Sequence, residues 1–243
     1  MTYCIGIALD KGLVFCSDSR TNAGIDQVST YSKMHVFGIE GERQFVLLSA
    51  GNLATTQAVV HQLRHDIRTV GEVSLMTVQS LAEAADYVGE VSLKRQARYL
   101  ESGQSSFVPK VTFIFGGQIK GELPGIYLIY PEGNYITTSR DHPFLQIGES
   151  KYGKPILDRV ITPGTSIEEA AKCAIVSMDS TVRSNLSVGP PIELRVYETD
   201  TCTTGRYLKF EEDAPYLRQL ARSWNQKVVE AFAALPEVNW SGL

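Results

Sequence analysis

The chain has 243 residues, a length suited to one large hydrophobic core, and its 43% hydrophobic and 21% charged residues are an ordinary globular composition that excludes an extended disordered chain. A formal net charge of −4 provides no basic field for gathering phosphates, so composition gives a nucleic-acid partner no support. The opening MTYCIG lacks the basic segment and apolar run of a signal peptide, and no window reaches the roughly 20 apolar residues of a membrane span, which predicts a cytoplasmic protein with no membrane partner.

In chain order, YCIGIAL and GLVFCSDS are β-rich runs joined by a charged-plus-glycine turn at LDKGL, which predicts a tight hairpin. KMHVFGI and RQFVLLSAG form a second pair around EGE, so four antiparallel strands come first. From Leu53 the apolar residues Leu53, Val60, Leu63 and Ile67 step at helical spacing, and Leu81, Ala85, Val88 and Leu100 predict a second helix before SGQSS. Strands resume at KVTFIFGGQI, GIYLIYP and the short YITTS. After IGESKYGKPILDRV, Thr165 and Ser166 each precede a glutamate by three residues, a capping-box signal for a helix through Ala170, Ala174, Met178 and Val182. PIELRVYE and RYLKF read as another strand pair. Asp213 or its neighbour opens a last helix whose stripe runs Ala214, Leu217, Ala221, Trp224, Val228 and Phe232.

Strands in runs, not alternating singly with helices, argue against a parallel doubly wound sheet and for antiparallel sheets covered by helices. Two such sheets packed on each other form an α+β, four-layer αββα sandwich. No repeat or linker asks for a second domain, so residues 1–243 are expected to be one domain with a helical extension from about residue 213.

Cys4, Cys16, Cys173 and Cys202 are scattered and form no CxxC pair, which argues against a zinc site or a disulfide framework. His61 and His65 in HQLRH share a helix face but lack the adjacent glutamate of a metalloprotease signature, so no metal and no cofactor is expected. Serine-hydrolase elbows, phosphate-binding loops and dinucleotide turns are absent from the sequence as well.

Attention therefore falls on the N-terminus. Methionine aminopeptidases remove Met1 when the next side chain is small, and Thr2 qualifies. A freed Thr2 carries a hydroxyl and an α-amine on one residue, and an amine with a pKa of about 7.7–8.0 is a suitable general base for that hydroxyl. Asp18 interrupts an apolar strand near its end, where a carboxylate is costly to bury without a partner. Lys33 begins the next strand, and the hairpin brings Asp18 toward both Thr2 and Lys33. A lysine beside the threonine hydroxyl lowers the cost of an alkoxide, with Asp18 holding it charged. In the alternative reading, Asp18 and Arg20 make a turn-level ion pair and Lys33 is solvated. Gly51 in SAGN either offers backbone N–H groups to an oxyanion or serves a strand-to-helix turn that needs glycine.

Thr2, SDSR (with Ser19 and Arg20), KMHVF and SAGN, in this order, resemble the N-terminal nucleophile hydrolases of the proteasome β-subunit family, and the whole pattern resembles the Anbu type among the bacterial proteasome-like peptidases. The resemblance runs through IGESKYGKPILDR and RSNLSVGPPIEL to about residue 200. It implies the αββα fold, Thr2 as nucleophile with its freed amine as base, Asp18 and Lys33 as the supporting pair, and Gly51 as oxyanion donor. It further implies a threonine-type peptidase acting on peptides or unfolded proteins inside a ring or spiral of identical subunits, with a separate ATP-dependent unfoldase as a possible partner. Two departures stand out. RSNLSVG replaces the family's Arg-Asp-x-x-Ser-Gly, placing Ser184 at the aspartate position and Ser187 at the serine. GES replaces GSG, placing Glu149 or Ser150 at the other serine, so that Glu149, and secondarily Asp179, are candidates to supply the missing carboxylate. A chain that keeps Met1 would instead be a silent scaffold or binding protein, and a small-molecule amidase is a third option on the same nucleophile.

Overall fold

A computed structural model describes residues 1–22, 28–69, 71, 73–100 and 108–240. The expected breaker SGQSS and the last three residues of the tail lie outside them.

Seven strands come from the predicted runs at the expected places: β1 (Tyr3–Leu9), β2 (Gly12–Asp18), β5 (Met34–Ile39), β6 (Arg43–Gly51), β7 (Val111–Ile119), β8 (Gly125–Ile129) and β9 (Tyr135–Thr137). The hairpin β1–β2 closes Leu9 against Gly12 around the two-residue turn Asp10–Lys11. The later pair is β11 (Ile192–Glu198) with β12 (Arg206–Phe210). Two features were not read from sequence. One is a small separate pair, β3 (Arg20–Asn22) with β4 (Val28–Thr30). The other is β10 (Phe144–Gly148), which joins β1 at the edge of its sheet, with Tyr3 opposite Gly148.

The strands form two five-stranded sheets, ordered β10-β1-β2-β11-β12 and β5-β6-β7-β8-β9, whose neighbouring strands pair antiparallel. Side chains along a strand point alternately to opposite faces, and here both faces are buried, which explains the near-continuous apolar runs. On β1, Tyr3, Ile5, Ile7 and Leu9 face the helices, while Cys4 faces the other sheet; on β6, Phe45 and Leu47 face helices, while Val46, Leu48 and Ala50 face inward. Three cores result: one under α3 (Lys154–Val160) and α4 (Ile167–Ser184), one under α1 (Leu53–Arg68) and α2 (Leu81–Leu100), and one between the sheets. The chain is thus an α+β αββα sandwich of the predicted type. All four cysteines are buried and free.

Of the two capping signals before α4, the fold uses the second: Ser166 caps Glu169 and Glu169 reaches back to Ser166, a complete capping box. The terminal helix α5 (Pro215–Ala233) buries no residue fully; Leu217 and Leu220 pack part-buried on the core beneath α4, and Ala221 and Trp224 are half-buried. Among the described residues no helix is long and apolar enough to cross a membrane.

Candidate active site

Strand ends from both sheets converge on one side of the sandwich. There the start of β1, the segment before β5, the end of β6, the first three turns of α1 and the end of β10 enclose a cleft of about 920 Å³ whose lining includes Thr2, Lys33 and Gly51.

The start of β1 is held from both sides. The Tyr3 N–H donates to Asp18 Oδ1 at 3.0 Å, and the Thr2 carbonyl accepts from the Glu149 N–H at 2.7 Å. Gly148 sits opposite with φ of +81°, and a Cβ there would overlap the Thr2 carbonyl, so β10 can approach this closely only with glycine at its last position. Thr2 is thereby fixed by its backbone at the mouth of the cleft.

Asp18 ends β2 fully buried and Lys33, 7% exposed, reaches it with an Nζ to Oδ1 distance of 2.6 Å. Lys33 Nζ also donates to the Arg20 carbonyl at 2.7 Å, and the Gly189 N–H donates to Asp18 Oδ2 at 3.2 Å. Burial pushes the Asp18 carboxyl above the usual carboxylate range, and the Lys33 ammonium and the backbone N–H groups of Tyr3 and Gly189 oppose that push. The reading in which Asp18 pairs with Arg20 and Lys33 is solvated does not describe this fold. Arg20 instead donates to the Leu186 carbonyl at 3.1 Å and lies 3.7 Å from Glu212.

Gly51 lines the cleft at φ of +111°, where a Cβ would overlap the Lys110 carbonyl. The next residue, Asn52, commits its N–H to that same carbonyl at 3.1 Å and caps α1 by accepting from Thr55 N–H, so the positive end of the α1 dipole faces the cleft. Glycine is therefore required here for conformation, whatever else its N–H does.

With Met1 in place the Thr2 nitrogen is an amide. The α-amine sits on Met1, held below its ordinary value of 8.0 by partial burial and then by the nearby Lys33 charge, with Asp18 and Glu149 pulling the other way. Glu149, 8% exposed, accepts from Asn185 Nδ2 at 2.9 Å and lies 3.4 Å from Lys151. Asn185 also approaches the Met1 sulfur at 3.9 Å and receives the Ser187 N–H at 2.9 Å. Glu149, Asn185 and Ser187 therefore form one network at the N-terminus. Ser150 turns back on the Gly148 carbonyl through its N–H at 3.1 Å. Ser184 is exposed at the end of α4, and Asp179 is engaged by Arg183 at 3.2 Å one turn further along its own helix. The structure brings Thr2, Asp18, Lys33 and Glu149 together and leaves Ser184 and Asp179 apart from them.

Three features escaped the sequence reading. Buried Glu193 on β11 accepts from Ser19 Oγ at 3.0 Å, Ser32 Oγ at 3.1 Å and the Tyr207 hydroxyl at 2.7 Å, so one carboxylate braces the neighbours of both Asp18 and Lys33. His35, two residues beyond Lys33, lines the cleft and is pushed down to about 4, by burial first and the Arg64 charge second. His61 and Arg64 of α1 line the same wall, so His61, considered above beside His65 for a metal pair, belongs to the cleft; among the described residues no group of side chains could hold a metal ion. A polar residue at an alternating position in a strand, or on a helix face, gives no local signal of such partners.

With this geometry in place, the comparisons with known proteins are specific. Residues 2–196 match the proteasome subunit family. The chain is 24% identical over 216 residues to the proteasome subunit beta of Haloquadratum walsbyi, covering 87% of this chain and 79% of that protein. It superimposes on the Anbu (ancestral beta-subunit) structure from Yersinia bercovieri with a TM-score of 0.91 and 44% identity, covering 98% of this chain and 99% of the other. The helical assembly of the Anbu complex from Pseudomonas aeruginosa gives a TM-score of 0.94 and 44% identity over 99% of this chain and 100% of that one.

Proposed function

Since the chain belongs to the proteasome subunit family and to its Anbu type, we propose that it is a threonine-type peptidase whose nucleophile, Thr2, is uncovered by removal of Met1. One observation carries this reading: Thr2 lines the cleft beside Lys33, whose charge is fixed by fully buried Asp18 at 2.6 Å.

In the proposed reaction the freed Thr2 amine takes the proton of the Thr2 hydroxyl as Oγ attacks the substrate carbonyl. Lys33 stabilises the developing negative charge on Oγ, and Asp18 keeps Lys33 charged and in place. The Gly51 N–H and the α1 N-terminus face the oxyanion. The proton passes to the leaving amine as the C–N bond breaks, leaving an acyl ester on Thr2 that water then hydrolyses. Glu149, which accepts from Asn185, is the proposed substitute for the family carboxylate whose position Ser184 takes, and it would orient this end of the chain.

Copies of the chain are proposed to assemble, as in the helical Anbu complex from Pseudomonas aeruginosa, with the exposed apolar face of α5 covering a neighbour. Such an assembly would enclose peptide or unfolded protein substrates; a separate ATP-dependent unfoldase is a partner this reading accommodates.

A chain that keeps Met1 supports a second reading, a silent scaffold, because an amide at Thr2 cannot act as the base. Two measurements separate them. The intact mass of the cellular protein loses one methionine if the peptidase reading holds. A Thr2→Ala variant then loses turnover of peptide and ester substrates that the wild type hydrolyses, a drop of at least about 10³-fold expected for loss of a nucleophile. Equal turnover by the two proteins overturns the proposal.

A further inference from the structure

The cleft is unusual in its charge. The chain carries 27 acidic and 23 basic residues, yet the described lining holds Arg20, Lys33, His35, His61 and Arg64 and no aspartate or glutamate. The cations differ in what they already hold. Lys33 is already paired with Asp18 at 2.6 Å, and Arg20 is met by Glu212 at 3.7 Å and by the Leu186 carbonyl. Arg64 has neither an ion-pair nor a hydrogen-bond partner among the described residues, although it is close enough to His35 for its charge to depress proton binding there. His61 stands one turn before it on the same helix, and the apolar Val60 and Leu53 are part of the same lining.

We infer that this cleft selects peptides with an acidic side chain on the residue whose carbonyl is attacked, and that Arg64 is the residue that reads it. The inference rests on the peptidase reading above. A guanidinium presents a fixed fork of donors matching a carboxylate, and charge-assisted pairs of this kind are the stronger hydrogen bonds. Arg64 is exposed to solvent on α1, and an unpaired cation on the concave wall directs its field into the cleft, where a carboxylate gains and a lysine or arginine meets like charge. His35, kept neutral, and His61 add N–H donors to the same wall. A solvated surface arginine would leave the cleft indifferent to substrate charge.

The test uses full-length protein whose mass shows that Met1 is gone, and three acetylated tripeptide vinyl sulfones that differ only in the last side chain: glutamate, leucine or lysine. The Thr2 Oγ adds to the vinyl carbon, its proton ends on the adjacent carbon, and no group leaves, so the mass of the N-terminal peptide reports each adduct and its rate. Wild type is expected to react with the glutamate probe roughly ten-fold faster than with the leucine probe, the effect of one charge-assisted hydrogen bond, and slowest with the lysine probe. Arg64→Gln brings the glutamate-to-leucine ratio to about one, and Arg64→Glu inverts the order in favour of lysine. Because each ratio is internal to one variant, a general loss of reactivity does not imitate the result. Equal rates with the three probes in wild type, or an unchanged ratio in Arg64→Gln, overturn the inference while leaving the peptidase reading standing. No adduct at Thr2 with any probe overturns the peptidase reading and this inference with it.

Discussion

The hairpin β1–β2 and the terminal helix α5 both carry apolar faces by sequence, and the fold treats them oppositely. All seven residues of β2 are buried, whereas α5 leaves Val229 61% and Phe232 75% exposed. The hairpin lies between a sheet partner on either side and cores on both faces; α5 is tied at its start by the Phe210–Tyr216 stack, with ring centroids 5.5 Å apart, and then runs out over the surface. Apolar periodicity thus marks which face of an element needs covering. It does not say whether the cover belongs to the same chain.

The sharpest way to test this contrast is at the buried end of the hairpin. Lys33→Ala leaves the Asp18 carboxylate buried without its cation, and a loss of about 3–5 kcal/mol in denaturant unfolding is expected. A loss under about 1 kcal/mol would mean that water or another group satisfies Asp18 and that this end is less sealed than described. An intermediate effect is expected at His35. Its folded pKa of about 4 lies below the ordinary 6.5, so the unfolded chain takes up the proton first on acidification. The stabilisation is complete above pH 6.5 and is lost as pH falls toward 4, by about 3 kcal/mol. His35→Asn should flatten that part of a stability-against-pH curve; an unchanged curve assigns the acid limb to other groups. The smallest effect on folding is expected on α5. Phe232→Glu should change the stability of dilute, dissociated chains by no more than about 0.5 kcal/mol, while native mass shows smaller particles. A large loss of stability in the dilute chain would show that α5 packs on its own body and would erase the contrast.

The same distinction explains what could be read in advance. The sandwich was legible because both faces of its central strands are covered from within, and runs such as FVLL show this locally. Asp18 stood out because a carboxylate ending a wholly apolar strand is expensive unless paired, and Lys33 lies at the start of a neighbouring element. Strand β10 was missed because FLQIG is short and its pairing with β1 reaches far along the chain, from Tyr3 to Gly148. Glu193 was missed for a related reason: within PIELRVYE it looks like an outward polar residue, and its partner Ser19 lies 174 positions away. His61 and Arg64 read as an ordinary polar helix face because a cleft wall and a solvated face have the same local composition. The departures GES and RSNLSVG were visible in the sequence, but only the fold shows Asn185, which no motif singled out, joining Glu149 to the N-terminal residue.

The way β1 is anchored also makes the fold independent of its first residue. The hydrogen bonds that fix its start use the Thr2 carbonyl and the Tyr3 N–H, and the strand ladder begins only at Tyr3. Met1 is a passenger upstream of that anchor, touching Asn185 through a long sulfur contact. Trimming it breaks no rung of the ladder. The anchor of β1 therefore stands whether the chain begins at Met1 or at Thr2, and the proposed uncovering of Thr2 asks for no rearrangement of the strand.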